Sequence, residues 1–154
     1  MEKINNKSYL IYGVKASGKT TYAEKLSEKL SLEFIDLDKK LLEIYNKNTV
    51  FELYNYLQNE FRVTEYKQFY NLVNNITKNT VLSVGGSTLL YKEIKIKDIK
   101  KKFKFILIDT DFEEIYKRIQ KQNTVYKRYS YKELKELYGK RIKLFRSWAD
   151  KIIK

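Results

Sequence analysis

At 154 residues the chain suits one folded unit with a core of its own, and no proline-rich or low-complexity linker marks a second. It has no histidine and no cysteine, which excludes imidazole chemistry, disulfide frameworks and Cys-based zinc sites; catalysis is left to carboxylates, Lys, Arg, backbone amides and a bound ion. The net charge of +13 would suit nucleic acid, yet the lysines are spread along the chain, and their densest run (residues 92–104) is broken by apolar residues and reads as a solvated surface.

In chain order, short apolar runs alternate with helix-period segments, the pattern of a parallel α/β sheet covered on both faces. YLIYG (9–13) reads as a first buried strand, followed by a glycine loop and a helix with Ala23, Leu26 and Leu30 at helical spacing. LEFIDLD (32–38) reads as a second strand ending in acidic residues. A mixed segment over about 39–58 leads to an amphipathic helix with Tyr66, Phe69, Tyr70, Val73 and Ile76 on its inner face. TVLSV (80–84) and FKFILID (103–109) are the third and fourth strands. Thr110 with Glu113 then resembles a capping box for a helix carrying Phe112, Ile115, Tyr116 and Ile119. Residues 121–130 read as an exposed polar loop, residues 131–148 as a last helix, and DKIIK as a short edge strand. No apolar run approaches the roughly 20 residues of a membrane span. A soluble cytoplasmic monomer is expected, with no membrane partner and no specific nucleic acid.

The segment GVKASGKT (13–20) satisfies G-x-x-x-x-G-K-T between a predicted strand and a predicted helix, the context a phosphate-binding P-loop requires. Its glycines let backbone amides turn toward phosphate oxygens, and the helix N-terminus adds partial positive charge. Lys19 is placed to reach the β- and γ-phosphates and Thr20 to coordinate Mg²⁺. The loop alone does not separate a GTPase, an ATP-driven machine and a small-molecule kinase.

Further residues narrow the choice. Asp36 and Asp38, two apart on an extended chain, project to one side at the carboxyl edge of the sheet, where ligands of open α/β sheets bind. One of them can hold Mg²⁺ through water while the other accepts a hydrogen bond from a substrate hydroxyl. Arg62 lies one turn before Tyr66, with Glu65 three residues on to orient it. Arg141 falls within the stripe Leu134, Tyr138, Phe145 and Trp148, where a core residue belongs. An arginine buried there needs a partner, either an internal carboxylate or a substrate carboxylate held by a bidentate fork.

Together GVKASGKT, FIDLD, EFRVTE, VLSVGGS and RIKLFRSWAD resemble, in order and across residues 9–150, the motifs of the shikimate kinases, P-loop enzymes of the nucleoside-monophosphate-kinase-like group. The resemblance implies one domain over 1–154 with a three-layer α/β/α fold around a parallel sheet of about five strands. It also implies a substrate-binding helical segment over about 38–76 and a lid over about 121–130. ATP would be bound by Gly13, Ser17, Gly18, Lys19, Thr20, Thr21 and Arg118, and Mg²⁺ by Thr20 and Asp36. Asp38 would contact the shikimate hydroxyls and assist deprotonation, with Lys19 as its catalytic partner. Arg62 and Arg141 would grip the carboxylate, and the backbone amides of Gly85 and Gly86 would close over the ring.

The sequence departs from the family pattern in three places. One of three glycines after the third strand is replaced, by Val84 or Ser87. The lid lacks the family's Arg-Pro pair, leaving Lys127 or Arg128 to supply its charge, and the chain stops near Lys154, before a usual C-terminal helix. An arginine finger contributes about 10³ to 10⁵ in rate. Its loss without a substitute would leave a binder or a slow kinase, but the convergence of Lys19, Asp36, Asp38, Arg62 and Arg141 makes ATP-dependent phosphorylation of shikimate the expected activity. The alternatives are a kinase-like binding module of little activity, or a kinase for another hydroxy acid such as gluconate, or for a nucleotide.

Overall fold

The first strand, β1 (Ser8–Tyr12), forms the middle of a five-stranded sheet, flanked by β3 (Thr80–Ser83) and β4 (Phe103–Ile108). The computed structural model describes residues 8–154, so the first seven positions of the expected 1–154 domain lie outside the described residues. The order is β2-β3-β1-β4-β5, with β2 at Glu33–Asp36 and β5 at Lys151–Ile153, and every pairing is parallel. Asp36 stands opposite Ser83, and Ile108 opposite Ile153. The acidic end of β2, the glycine end of β3 and the loop after β1 thus reach the same carboxyl edge.

Side-chain alternation explains why the strands read as unbroken apolar runs: both faces are covered. Leu10, Tyr12, Phe103, Phe105 and Leu107 enter one apolar layer, while Ile11, Val81, Ile106 and Ile108 enter another with Ala23 of α1 (Lys19–Leu30). The first layer is closed by α2 (Leu37–Tyr45), α3 (Val50–Leu57), α4 (Phe61–Asn75), α5 (Ile96–Lys100), α6 (Phe112–Gln120) and α7 (Tyr131–Trp148). The result is the expected three-layer α/β/α arrangement. Inside it, the buried Tyr12 hydroxyl donates to the Phe145 carbonyl at 2.6 Å and locks α7 onto β1. Among the described residues, no helix is long and apolar enough to cross a membrane.

Several local expectations are corrected. β2 stops at Asp36, so Asp38 lies in the first turn of α2 rather than on an extended chain, and it is Asp36 that caps this helix by accepting from the Lys39 amide. A chain that turns into a helix after Asp36 gains an N-cap there, a preference the FIDLD alternation hid. The mixed segment resolves into α2 and α3, the latter opened by a capping box between Thr49 and Glu52. The buried stripe of α4 is Phe61, Glu65, Phe69 and Val73, and Tyr70 is exposed.

The Thr110–Glu113 capping box is absent: Asp111 is the N-cap position of α6, and Thr110 Oγ1 donates instead to the Ser17 carbonyl at 2.7 Å. Within the lysine-rich run, Lys102 Nζ donates to the Val73 carbonyl at 3.1 Å and Lys100 pairs with Asp150, so that surface also fastens β4 to its neighbours. Residues 121–130 are not a free loop. They include a 3₁₀ turn at Val125–Arg128, with Val125, Tyr126 and Tyr129 half-buried.

Candidate active site

A cleft of about 240 Å³ opens at the carboxyl edge, lined by the loop after β1, the ends of β2 and β3, and parts of α3, α4 and the 121–130 segment. At its base the chain turns from β1 into α1. Gly18 adopts a left-handed φ of 95° there, a conformation that a side chain makes costly. Lys19 opens the helix and donates to the Val14 carbonyl at 3.1 Å, curling back over the loop. Gly86 approaches the loop so closely that a Cβ on it would lie 2.9 Å from the Lys15 amide nitrogen.

The loop suits an anion. Burial holds the Lys19 ammonium down to about 8, against the pull of Asp38 and Asp36. Among the described residues the buried Ser17 hydroxyl has no hydrogen-bond partner, a condition costing about 1–3 kcal/mol unless an acceptor arrives. Gly18, Thr20 and Thr21 line the cleft beside Lys19, whereas Gly13 lies beneath the loop against Ile108 and Ser17. Arg118, from α6, donates to the Ala16 carbonyl at 2.9 Å and pairs with Glu114, placing its guanidinium across the loop.

Thr20 Oγ1 and Asp36 Oδ2 are 3.2 Å apart. Among the described residues no group of three or more acidic side chains is arranged to hold a metal ion by itself. A hydroxyl and one carboxylate form a hard-oxygen pair that fits Mg²⁺, which takes few protein ligands and completes its octahedron with phosphate oxygens and water.

Opposite the loop, Asp38, Arg62, Glu65 and Gly85 form a second cluster. Burial raises the Asp38 carboxyl, helped by Asp36 and opposed by Lys19, Lys15 and Arg62. Burial likewise pushes Glu65 up to about 7, although Arg62 pairs with it at 3.3 Å and the Thr88 hydroxyl donates to it at 2.9 Å. A Cβ on Gly85 would sit 3.1 Å from Glu65 Oε2 and 3.3 Å from Asp38 Oδ1, so this glycine leaves room between two carboxyls. Its amide donates to Thr88 Oγ1 at 2.9 Å, which corrects the expectation that it serves the ring. Ser87 Oγ accepts from Arg62.

Arg141 departs from expectation. It borders a smaller neighbouring cavity and not the cleft itself, and Lys15 and Tyr126 line both. Its guanidinium donates to the Tyr126 hydroxyl at 3.0 Å. Lys127 and Arg128, the residues left to supply a lid charge, are exposed and do not line the cleft; Arg128 donates to the Tyr129 hydroxyl at 3.2 Å. Sequence reasoning also missed Lys15, Thr88 and Tyr126. Lys15 sits at a variable position of the P-loop motif, and Tyr126 lies in a segment without periodicity.

The family model for shikimate kinase matches residues 15–154. A shikimate kinase of Macrococcus caseolyticus is 33% identical over 147 residues, covering 87% of this chain and 79% of the relative. One of Staphylococcus haemolyticus is 32% identical over 151 residues, covering 94% and 83%. In fold, the chain is similar to the Acinetobacter baumannii shikimate kinase solved in complex with shikimate, with a TM-score of 0.83 at 22% identity, covering 97% of this chain and 84% of that one. With a P-loop facing a carboxyl and arginine cluster, and a match of this extent, the chain belongs to the shikimate kinase family.

Proposed function

We propose that this protein transfers the γ-phosphoryl group of ATP to a hydroxyl of shikimate, giving shikimate 3-phosphate. The observation that carries the reading is the convergence, in one cleft, of the Lys19 loop with Asp38 and Arg62 on the opposite wall. Phosphoryl transfer asks a protein chiefly for positioning and charge neutralisation, and these residues supply both. In this reading Ser17, Gly18, Lys19, Thr20 and Thr21 hold the phosphates, Gly13 supports the loop from beneath, and Arg118 flanks the nucleotide. Thr20 and Asp36 hold Mg²⁺, which when bound neutralises charge on the phosphate oxygens.

Asp38 orients the attacking hydroxyl and accepts its proton. Burial raises its basicity toward the working pH, the direction in which a general base gains efficiency. Arg62, held by Glu65, offers a guanidinium to the acid's carboxylate, with Arg141 behind Tyr126 as the second. Gly85 and Gly86 keep the floor clear of side chains. With no lid arginine in the cleft, Lys15 joins Lys19 as a cation on its wall. A monomer in the cytoplasm is part of the same proposal.

The test is ADP release by the folded protein with shikimate, gluconate and nucleoside monophosphates offered in turn. Turnover with shikimate alone is expected. Turnover with another acceptor in its place, or nucleotide binding without turnover, overturns the assignment.

A further inference from the structure

The place expected for the acceptor's carboxylate is taken by a side chain of the protein itself. Tyr126 belongs to the 3₁₀ turn Val125–Arg128 between α6 and α7, and its hydroxyl accepts from Arg141 Nη1 at 3.0 Å. Arg62 lines the same cleft as Tyr126, and its charge acts on the phenol from that side. The ring lies 5.6 Å from the Arg141 guanidinium carbon, and the residue lines both the cleft and the neighbouring cavity. Tyr126 therefore stands between the two guanidiniums.

The position is built rather than incidental. Thr124 Oγ1 caps the turn by accepting from the Tyr126 amide, and the Tyr126 carbonyl accepts from the Tyr129 amide at 3.1 Å. Among the described residues, no carboxylate lies within ion-pair distance of Arg141. One neutral oxygen under-fills a fork shaped for two carboxylate oxygens and leaves its charge uncompensated. Burial raises the phenol's pKa, but the two guanidiniums outweigh it and pull the group below its ordinary range, as they would any negative charge placed there.

We propose that Tyr126 is a specificity-determining residue for the acceptor: its hydroxyl holds the carboxylate seat between Arg62 and Arg141, and a ligand binds by replacing it there with an anion. A carboxylate satisfies both forks and compensates both charges, so it displaces the phenol where a neutral group does not. Displacement frees the turn, which couples occupation of the acceptor site to the position of residues 125–128. Only the identity of the acid rests on the function proposed above.

The test uses the full chain and Tyr126→Phe, which keeps the ring and removes the oxygen. While the phenol holds the seat, apparent affinity is reduced by the fraction of free sites. Calorimetry should therefore show shikimate binding Tyr126→Phe about three- to tenfold more tightly than wild type. Tryptic cleavage after Lys127 and Arg128, without ligand, should quicken by a similar factor in the variant, and in wild type when shikimate is added. Unchanged or weaker shikimate binding by the variant overturns the proposal, because a phenol that braces the fold or helps to hold the substrate would give that result. Unchanged cleavage in ligand-free Tyr126→Phe also overturns it. If wild type binds no shikimate and the variant still cleaves faster, the acceptor assignment fails and the Tyr126 contact stands.

Discussion

Thr20 Oγ1 lies 3.2 Å from Asp36 Oδ2, joining the start of α1 to the end of β2 at the edge where the phosphates are expected. Asp36→Asn keeps the acceptor and removes the charge. The Mg²⁺ concentration for half-maximal ADP release should rise about 10- to 100-fold. An unchanged Mg²⁺ requirement would show that Asp36 only caps α2.

Lys19 gives a proton signature. Its folded value of about 8 lies below the ordinary 10.5, so between those values the unfolded chain binds more proton than the folded one. The burial penalty is complete below pH 8 and is relieved as pH rises toward 10.5. Phosphates beside the amine restore its charge, so ADP binding at pH 8.5 should take up a fraction of a proton. Calorimetry in buffers of different ionisation heat measures this, and Lys19→Met should abolish the uptake.

Glu65 acts in the opposite sense. Its folded value of about 7 lies above the ordinary 4.5, so between these the folded state binds more proton and loses stability as pH rises. The loss from this group is fully present above pH 7 and amounts to about 3 kcal/mol. Denaturant unfolding of the ligand-free protein between pH 5 and 8 should fall in stability, and the slope should be shallower in Glu65→Gln.

Two glycine substitutions separate the site from the scaffold. Gly86→Ala places a methyl 2.9 Å from the Lys15 amide nitrogen, and backbone must shift; ADP affinity should fall about tenfold or more, the scale on which a displaced phosphate amide loses a charge-assisted bond. Gly139→Ala, on the exposed face of α7 with nothing within 4 Å, should stabilise by about 0.5–1 kcal/mol. Equal effects from the two would contradict the close approach of Gly86.

Most of the sheet was legible because its strands are buried on both faces and read as apolar runs between helix-period segments. The GVKASGKT loop was legible because its chemistry needs fixed residue types at fixed spacing. The sequence points Asp38 into the cleft through an extended geometry that the chain does not have; it reaches the cleft from the first turn of α2. The spacing marks Glu65 as an orienting partner for Arg62, but the apolar stripe in the sequence runs through Tyr66, one position away, and hides the burial of Glu65. Tyr126 is invisible in the sequence for a different reason: it belongs to a 3₁₀ turn, its phenol meets Arg141 from another element, and no local pattern encodes that contact.

Asp38 is the group on which the account depends most. Phosphorus-31 resonance of a mixture of ATP, Mg²⁺, shikimate and wild-type protein should show a phosphomonoester appearing in step with ADP. In Asp38→Asn that signal should grow about 10²- to 10⁴-fold more slowly, the range of a lost general base. ADP accompanied by inorganic phosphate instead of a phosphomonoester, or an Asp38→Asn rate equal to wild type, would contradict the account.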